Sequence, residues 1–537
     1  MNLKNLLSKG YFPRELPPSF TTASFAGRLP VIESEWNLLT KKVQDKYSET
    51  KCVNYNIPKV GLGRRRISIP NPLSQWMLAK CIVDNYAVIE AFYSSKTSAS
   101  IPVYTPSGAR SVKTKLTFGE FRRTGTLESY AKVHEIKTDI SKYYHTIYTH
   151  IIPWVLHTKP VAKARKNDYT LLGNNIDRLV RRCQSGQKIG IPVGPDTSLI
   201  ISELIGCWID KEFFKKGIDF VGYRYVDDFN FFFSSIEQAE KAIRVLQEIF
   251  TSLNLDMNDD KTSIIKSPHF FDNGWSYILA NYKFSKDQKK QLYDIIRFFE
   301  ISFKYSVDFP ADSVLKYSMR ILSSLSIEPG NWSFFESLLM KTAITEPATL
   351  QEFGSIMFRN RSRVDIRKIS DVVYTLLEEH IYKGHSFETC WALWLAKIFN
   401  IKILPRIAAN LFEFIDSSSL IMALDLRKQG LIASNTKTGA LQDLFDKDSL
   451  ETEHWLLVYE AIYHKWITPK DPRIVDDHPF FSLLKKNYVS FYHTRRVIKK
   501  LQAQQYSADL YASTTKDETT DLEALLAIFK HQGLEYI

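Results

Sequence analysis

Cysteine is scarce in this chain of 537 residues, and the placement of its cysteines excludes two classes of protein. The five cysteines, Cys52, Cys81, Cys183, Cys207 and Cys390, stand far apart in the sequence. They show neither the short paired spacings of a zinc site nor the density of a disulfide-stabilised scaffold. We therefore predict a protein of a reducing compartment, the cytoplasm.

Long apolar runs are also missing. No stretch approaches the roughly 20 consecutive apolar residues that a membrane-spanning helix needs. The opening segment, MNLKNLLSKGYFP, has an apolar core that is too short for a secretory signal peptide. The sequence thus predicts a soluble protein without a membrane partner.

Acidic side chains are outnumbered: 71 Lys and Arg stand against 59 Asp and Glu, for a formal net charge of +12. Such an excess favours an anionic partner, either nucleic acid or nucleotide phosphate, and charge alone does not choose between them. The composition is 44% hydrophobic and 13% aromatic, which is too apolar for a disordered chain. At roughly 150 residues per domain, the length predicts about three folding units.

The spacing of apolar residues changes along the chain. The β-branched and aromatic runs KVHEIKTDI from 132 and FVGYRYVDDFNFFF from 220 predict strands. From about 285 helical spacing takes over, as in FETCWALWLAKI from 387. We predict an α/β domain over 1–275, an all-α domain of stacked helix pairs over 276–506, and a flexible tail over 507–537 in which LEALLAIFKHQ favours one short helix.

Two adjacent acids, Asp227 and Asp228, lie between strand-like runs in the motif YVDD. Neighbouring side chains on a strand point to opposite faces, so two acids that serve one site require a tight hairpin turn at the pair. Most such pairs are merely solvated turns. Here a further acid, Asp139, follows the strand-like run VHEIKT. Acids from two strands can hold two Mg²⁺ ions about 4 Å apart, as phosphoryl transfer requires.

Four ordered segments resemble motifs A to D of the reverse-transcriptase palm: DISKYY (139–144), GIPVGPDTS (190–198), YVDD (225–228) and LNLDMNDDKT (253–262). The segment RRRISIPNPLSQ from 64 resembles the fingers motif. The resemblance implies an α/β reverse-transcriptase palm and fingers followed by an all-α helical-repeat domain. It also implies DNA synthesis from dNTPs with two Mg²⁺ ions, which Mn²⁺ can replace.

Other segments are similar to abortive-infection and other defence-associated bacterial reverse transcriptases. They are LLSKGYFPRELPPSF near the N-terminus, IPW at 152–154, LGNNIDRLVRRCQSGQKIGIPVGPDTSLIISEL at 172–204 and FETCWALW at 387–394. This resemblance implies a role in antiphage defence in the bacterial cytoplasm. It also implies a homo-oligomer, a trimer or a hexamer.

The resemblance assigns roles to individual residues. The metal ligands are expected to be Asp139, Asp227, Asp228 and the backbone carbonyl of Ile140. Tyr144 is expected to block the 2′ hydroxyl of a ribonucleotide, with a role as a core aromatic as the alternative, whereas Tyr143 is interpreted as a core aromatic. Contacts to the incoming dNTP are expected from Arg64, Arg65, Arg66, Gly194 and Lys261. A solvated basic turn remains the alternative for any single arginine, and a surface role remains the alternative for Lys261.

Val193 stands where many templated reverse transcriptases have Gln, so an apolar side chain replaces a polar contact to the template strand. The substitution fits the defence branch, in which some members polymerise DNA without a template and prime on a protein hydroxyl. The candidate primers are Tyr506, Tyr511 and Tyr536.

Two alternatives stay open. One is templated cDNA synthesis on a bound non-coding RNA. The other is a ribonuclease in the C-terminal half, with the Arg473 and His478 of RIVDDH, although the flanking prolines predict a loop there.

Overall fold

The computed structural model describes residues 1–59, 61, 63–116, 118–267, 274–414 and 416–495. The predicted tail over 507–537 and the candidate primers Tyr506, Tyr511 and Tyr536 lie outside these residues. Within them, no helix combines the length and the apolarity needed to cross a membrane.

Strands occur, among the described residues, only in the N-terminal half. They are β1 (Val53–Pro58), β2 (Arg64–Ile69), β3 (Pro102–Tyr104), β4 (Val112–Thr114), β5 (His134–Asp139), β6 (Val221–Tyr225), β7 (Asp228–Phe233) and β8 (Ser263–Lys266). The helices of this half are α1 (Leu3–Lys9), α2 (Ala23–Trp36), α3 (Lys41–Lys46), α4 (Pro72–Asp84), α5 (Tyr86–Phe92), α6 (Phe118–Glu128), α7 (Tyr143–Thr146), α8 (Ile151–His157), α9 (Lys159–Ala164), α10 (Leu172–Arg182), α11 (Asp196–Phe214) and α12 (Ile236–Ser252).

The C-terminal half is helical, as its periodicity predicts. Its helices are α13 (Trp275–Ala280), α14 (Gln288–Asp308), α15 (Val314–Leu322), α16 (Trp332–Thr345), α17 (Leu350–Arg359), α18 (Ile366–His380), α19 (Ser386–Phe399), α20 (Pro405–Glu413), α21 (Ser417–Lys428), α22 (Trp455–Tyr463) and α23 (Phe481–Lys486). Short 3₁₀ helices follow the proline breaks, at Pro329–Asn331 and Pro347–Thr349.

A four-stranded antiparallel sheet forms the palm, with the strand order β6-β7-β5-β8. The predicted strands are confirmed, because VHEIKT falls in β5 and FVGYRYVDDFNFFF folds into the hairpin β6–β7. Its Phe229, Phe231 and Phe233 are buried together with the apolar faces of α11 and α12. The sheet is therefore a rigid platform whose strand ends can carry functional groups.

The buried apolar side chains form two clusters. One cluster contains the palm sheet together with α10, α11 and α12. The other joins α1, α2 and the hairpin β1–β2 to the helices of the C-terminal half. The fingers hairpin, which ends at Ile69, thus shares its core with the helical half, whose first helix begins at Trp275.

Specific contacts hold these distant segments together. The indole N–H of Trp391 in α19 donates to the carbonyl of Glu15 (2.9 Å), and Tyr55 of β1 lies edge-on to Phe387 of α19. The amide of Thr21 donates to the carbonyl of Phe491 (2.9 Å). The domain boundary at 275/276 stays a prediction. It coincides with a change in secondary structure, and the second cluster of buried apolar side chains extends across it.

Candidate active site

The hairpin β6–β7 carries the paired acids. Its turn consists of Val226 and Asp227, and Val226 has a φ of +56°. Asp228 begins β7 and is the register partner of Asp139, the last residue of β5. The amide of Ile140 donates to the carbonyl of Asp227 (3.3 Å), which ties the turn to the end of β5. The predicted hairpin turn is confirmed, and the three acids meet at one edge of the sheet.

Two of the three carboxylates, those of Asp227 and Asp228, lie where the ionised form is disfavoured. Asp139 is 5% exposed. Burial, reinforced by the charge of Asp139, raises the pKa of Asp227 to about 7. Burial and the charge of Asp227 likewise raise the pKa of Asp228 well above its usual range. Because desolvation and mutual repulsion both disfavour the ionised form, this edge is suited to bind cations.

The donor set fits magnesium. The three side chains offer only carboxylate oxygens, the ligands that hard divalent cations prefer. The Oδ1 of Asp139 is buried and has no hydrogen-bond partner among the described residues. Lys261 donates from Nζ to the other oxygen, Oδ2. The role of the Ile140 carbonyl stays a prediction.

Lys59 is a basic neighbour of the acids that the sequence analysis missed. Burial lowers its pKa first, followed by the charges of Arg65 and Lys261, whereas Asp139 and Asp227 act in the opposite direction. Its amide donates to the carbonyl of Gly63 (2.9 Å), which closes the loop between β1 and β2. A lysine beside a glycine-containing hairpin loop was the sequence signal that could have found it.

The three fingers arginines have different surroundings, because alternate residues of β2 point to opposite faces. Arg64 is bound to Glu388 of α19 through both terminal nitrogens. Arg66 donates from Nε to Asn54 (2.6 Å). The charge of Arg65, by contrast, acts on Asp227, where it lowers the carboxyl pKa against the larger effect of burial. Contact with a dNTP stays a prediction for all three arginines, and Arg64 and Arg66 already have partners within the protein.

The two tyrosines of motif A, Tyr143 and Tyr144, are both anchored on Ser202 in α11. The hydroxyl of Tyr144 is 3.0 Å from the Oγ of Ser202 in α11, and only 5% of Tyr144 is exposed. Tyr143 donates to the carbonyl of Ser202 (2.8 Å) and is part of the palm core, as interpreted from the sequence. Tyr144 is close enough to Asp227 for that carboxylate to raise its pKa, after the larger effect of burial.

Gly194 of motif B lets this segment pack closely against β2. Gly194 has a φ of +124°, and a Cβ there would lie 2.9 Å from the side chain of Ile67 in β2. Its carbonyl accepts from Arg110 (3.1 Å), and the carbonyl of Val193 accepts from the amide of Ser68 (2.8 Å). Motif B is therefore fastened to the fingers hairpin, and dNTP contact by Gly194 stays a prediction.

A second group of ligand-type side chains lies in the described part of the helical half. Its members are His380, His385 and Glu388, and the two Nδ1 atoms are 2.9 Å apart. Arg64 occupies both oxygens of Glu388, so a cation here would face a guanidinium group. We therefore assign no metal to this group.

The rival ribonuclease pair falls in a turn region that precedes α23, as the prolines predict. Arg473 is exposed and contacts Asp477. His478 is buried and lies 2.9 Å from Glu451. Each of the two side chains thus has its own partner, and neither lies on a helix.

A comparison with protein families decides what the palm is. Residues 84–288 match the family model described as reverse transcriptase (RNA-dependent DNA polymerase). They are a reverse-transcriptase domain. Motifs A to D lie inside this domain, whereas Lys59 and the fingers arginines precede it.

Two solved structures to which this chain is similar are distant likenesses. A search of curated proteins finds no match. The apo telomerase of Candida tropicalis, truncated from its C-terminal domain, is 16% identical over 45% of this chain and 56% of that chain, with a TM-score of 0.30. This chain therefore spans little more than half the length of that structure. The telomerase of Candida albicans in complex with a TWJ fragment of telomeric RNA is 12% identical over 75% and 70%, with a TM-score of 0.29.

Proposed function

We propose that this protein is a nucleotidyltransferase that synthesises DNA from dNTPs at Asp139, Asp227 and Asp228. The observation that carries the proposal is the register of the palm sheet, in which Asp139 faces Asp228 and Asp227 occupies the adjoining turn. The reverse-transcriptase domain over 84–288 supports the same chemistry.

In this mechanism Asp139, Asp227 and Asp228 would hold two Mg²⁺ ions. Those ions, when bound, supply charge neutralisation for the attacking 3′ oxygen and for the leaving pyrophosphate. Basic side chains of the protein position the triphosphate of the incoming dNTP. Arg65 and Lys59 would neutralise the triphosphate from the fingers side, since the charge of Arg65 lowers the pKa of Asp227 and the charges of Asp139 and Asp227 raise that of Lys59. Such transfer depends mainly on orientation and electrostatic stabilisation.

Two side chains have more specific roles in the proposal. Lys261, already placed on Asp139, gives a proton from Nζ to the pyrophosphate as it leaves. Tyr144 closes the space that a ribose 2′ hydroxyl needs, because its hydroxyl is anchored on Ser202 and its ring cannot swing away freely. The enzyme would therefore select dNTPs.

We further propose that synthesis proceeds without a nucleic-acid template and is primed by a protein hydroxyl, with Tyr506, Tyr511 and Tyr536 as candidates. The side chain of Val193 supports this, because it is 2% exposed and lies in the palm core, where it offers no polar atom to a template. Templated synthesis on a bound non-coding RNA is the second candidate, which the net charge of +12 favours. The resemblance to defence enzymes supports an antiphage role as a trimer or hexamer in the bacterial cytoplasm.

The test compares wild-type protein with Asp227→Asn, after nuclease treatment, in the presence of Mg²⁺ and each dNTP. Incorporation should fall by about a thousandfold in the variant, because one carboxylate charge is lost from both ions. Asp219→Asn is the matched control, since Asp219 is an exposed acid paired with Lys132 (2.7 Å). Near wild-type incorporation by Asp227→Asn would refute the proposed site.

Product analysis separates the two modes of synthesis. DNA of random order made without added RNA would support template independence, whereas a fixed repeat or a complementary sequence would support templating. DNA that migrates free of protein after denaturation, before protease is added, would contradict protein priming.

A further inference from the structure

A buried charged cluster lies directly behind the catalytic turn. The guanidinium group of Arg224 in β6 is fully buried and donates to Glu203 (2.7 Å) and to Asp210 (2.9 Å), both in α11. Gly206 lies between these acids on the same helix, and a Cβ there would come within 2.4 Å of the guanidinium group. The motif B helix is thus shaped to receive this arginine.

The cluster binds both backbone polar groups of Val226. Arg224 donates from Nη1 to the carbonyl of Val226 (2.7 Å). The amide of Val226 donates to the Oγ of Ser100 (2.8 Å), and that hydroxyl in turn donates to Glu203 (2.9 Å). The turn residue is therefore held from two sides by groups that are anchored on one helix.

Val226 needs such support because of its backbone conformation. A φ of +56° is rare for a β-branched residue, whose Cβ crowds the following carbonyl there. Strained conformations of this kind persist only where the surroundings over-determine them. Asp227 follows immediately, so any relaxation of Val226 toward negative φ would displace the carboxylate from Asp139.

We infer that Ser100, Glu203 and Arg224 are positioning residues, which hold Val226 in its left-handed conformation and thereby set Asp227 against Asp139. The inference rests on the proposed function for its catalytic consequence. A purely structural role of the cluster in the palm core is the competing interpretation, and the two differ in what the loss of a single hydroxyl would do.

Two neighbouring serines provide the matched comparison. Ser98 and Ser100 are both buried, and both donate their hydroxyls to Glu203. Only the hydroxyl of Ser100 also accepts from Val226. The hydroxyl of Ser98 also accepts from the amide of Ser100 (3.3 Å). Ser98→Ala and Ser100→Ala therefore each remove a bond to the same carboxylate, and only Ser100→Ala removes the acceptor of the Val226 amide.

The experiment measures thermal unfolding, incorporation against Mg²⁺ concentration, and Mn²⁺ affinity by electron paramagnetic resonance, for the full-length wild type and both variants. Both variants should unfold at similarly lowered temperatures. Only Ser100→Ala should raise the half-saturating Mg²⁺ concentration and the Mn²⁺ dissociation constant, by about fivefold, which is the scale of one lost hydrogen bond. Equal shifts in both variants, or none in Ser100→Ala, would overturn the inference.

Hydrogen exchange gives a readout that does not depend on activity. In metal-free wild type the amide of Val226 should exchange slowly, because Ser100 accepts it, and Ser100→Ala should accelerate that exchange. Ser98→Ala should leave it slow, and fast exchange in the wild type would contradict the inference. If wild type incorporates no dNTP, the proposed function fails, whereas Mn²⁺ affinity and amide exchange still decide whether the cluster positions the turn.

Discussion

The catalytic turn and the fingers hairpin face the same site, but different cores hold them. The turn at Val226 and Asp227 is fastened within the palm by Arg224 and its partners on α11. The hairpin β1–β2 is fastened by the helical half, through Arg64 on Glu388 and through the packing of Tyr55 on Phe387. Under the proposed function, the helical half would support the side of the site that binds the triphosphate, whereas the palm would support the side that binds the metal ions.

Removal of the helical half should have the largest effect on this arrangement. A chain of residues 1–275 exposes the apolar faces of α1, α2 and β1–β2, which the helical half covers. We expect it to aggregate or to lack a cooperative unfolding transition, whereas a chain of residues 1–495 keeps every described residue and should unfold as the full chain does. Calorimetry and size-exclusion chromatography make the comparison. A soluble 1–275 fragment with a cooperative transition would show that the palm and fingers fold alone.

Substitutions of the three fingers arginines should distinguish substrate binding from structural support of the hairpin β1–β2. Arg65→Ala should raise the KM for dNTP by roughly tenfold, as expected for a lost charged contact to phosphate. Arg64→Ala should instead lower the free energy of unfolding by about 2 kcal/mol, because Glu388 stays buried without its partner. Arg66→Ala, at an exposed position, should do neither. Steady-state kinetics and denaturant titration test this, and equal KM changes for Arg64 and Arg65 would contradict the assignment.

Substrate selection should depend on the palm side alone. Tyr144→Ala opens space beside Asp227 and should reduce the preference for dNTP over rNTP by about tenfold or more, since a steric exclusion is removed. Tyr143→Phe, which loses only the bond to the carbonyl of Ser202, should keep the preference. A competition assay with both nucleotides measures it. Retained activity with unchanged preference would exclude Tyr144 as the selecting residue.

The smallest expected effect is a pH dependence of stability in the metal-free protein. The pKa of Asp227 in the folded state is about 7, above its ordinary value of 3.8, so folding favours the protonated form. The contribution of Asp227 to the free energy of unfolding should therefore be fully present below about pH 4. It should fall as the pH rises toward 7, by on the order of 1–2 kcal/mol for this half-buried group.

Asp227→Asn provides the control for that dependence, because it cannot ionise. Thermal unfolding in EDTA should show a smaller loss between pH 5 and pH 8 for the variant than for wild type. Saturating Mg²⁺ should restore wild-type stability more at pH 8 than at pH 5, since the ion binds the deprotonated carboxylates. Identical profiles of thermal stability against pH for the two metal-free proteins would contradict an excess of negative charge at the site.

The sequence predicts those parts of the site that depend on local pattern. The strands around YVDD and the turn between them follow from β-branched and aromatic runs interrupted by paired acids, and the helices follow from their spacing. Contacts between distant segments carry no such pattern. Arg64 and Glu388 are 324 residues apart, and Ser100 and Val226 are 126 residues apart. Only the folded chain shows that β1–β2 belongs to the helical core and that Arg224 is buried on α11.

The proposed function requires that Asp139, Asp227 and Asp228 together bind two catalytic cations. Anomalous diffraction of Mn²⁺, in crystals of the protein grown with a dNTP, tests this requirement. We expect two peaks about 4 Å apart, in contact with these three carboxylates. Absence of peaks at the palm edge, or a strong peak only at His380, His385 and Glu388, would contradict it.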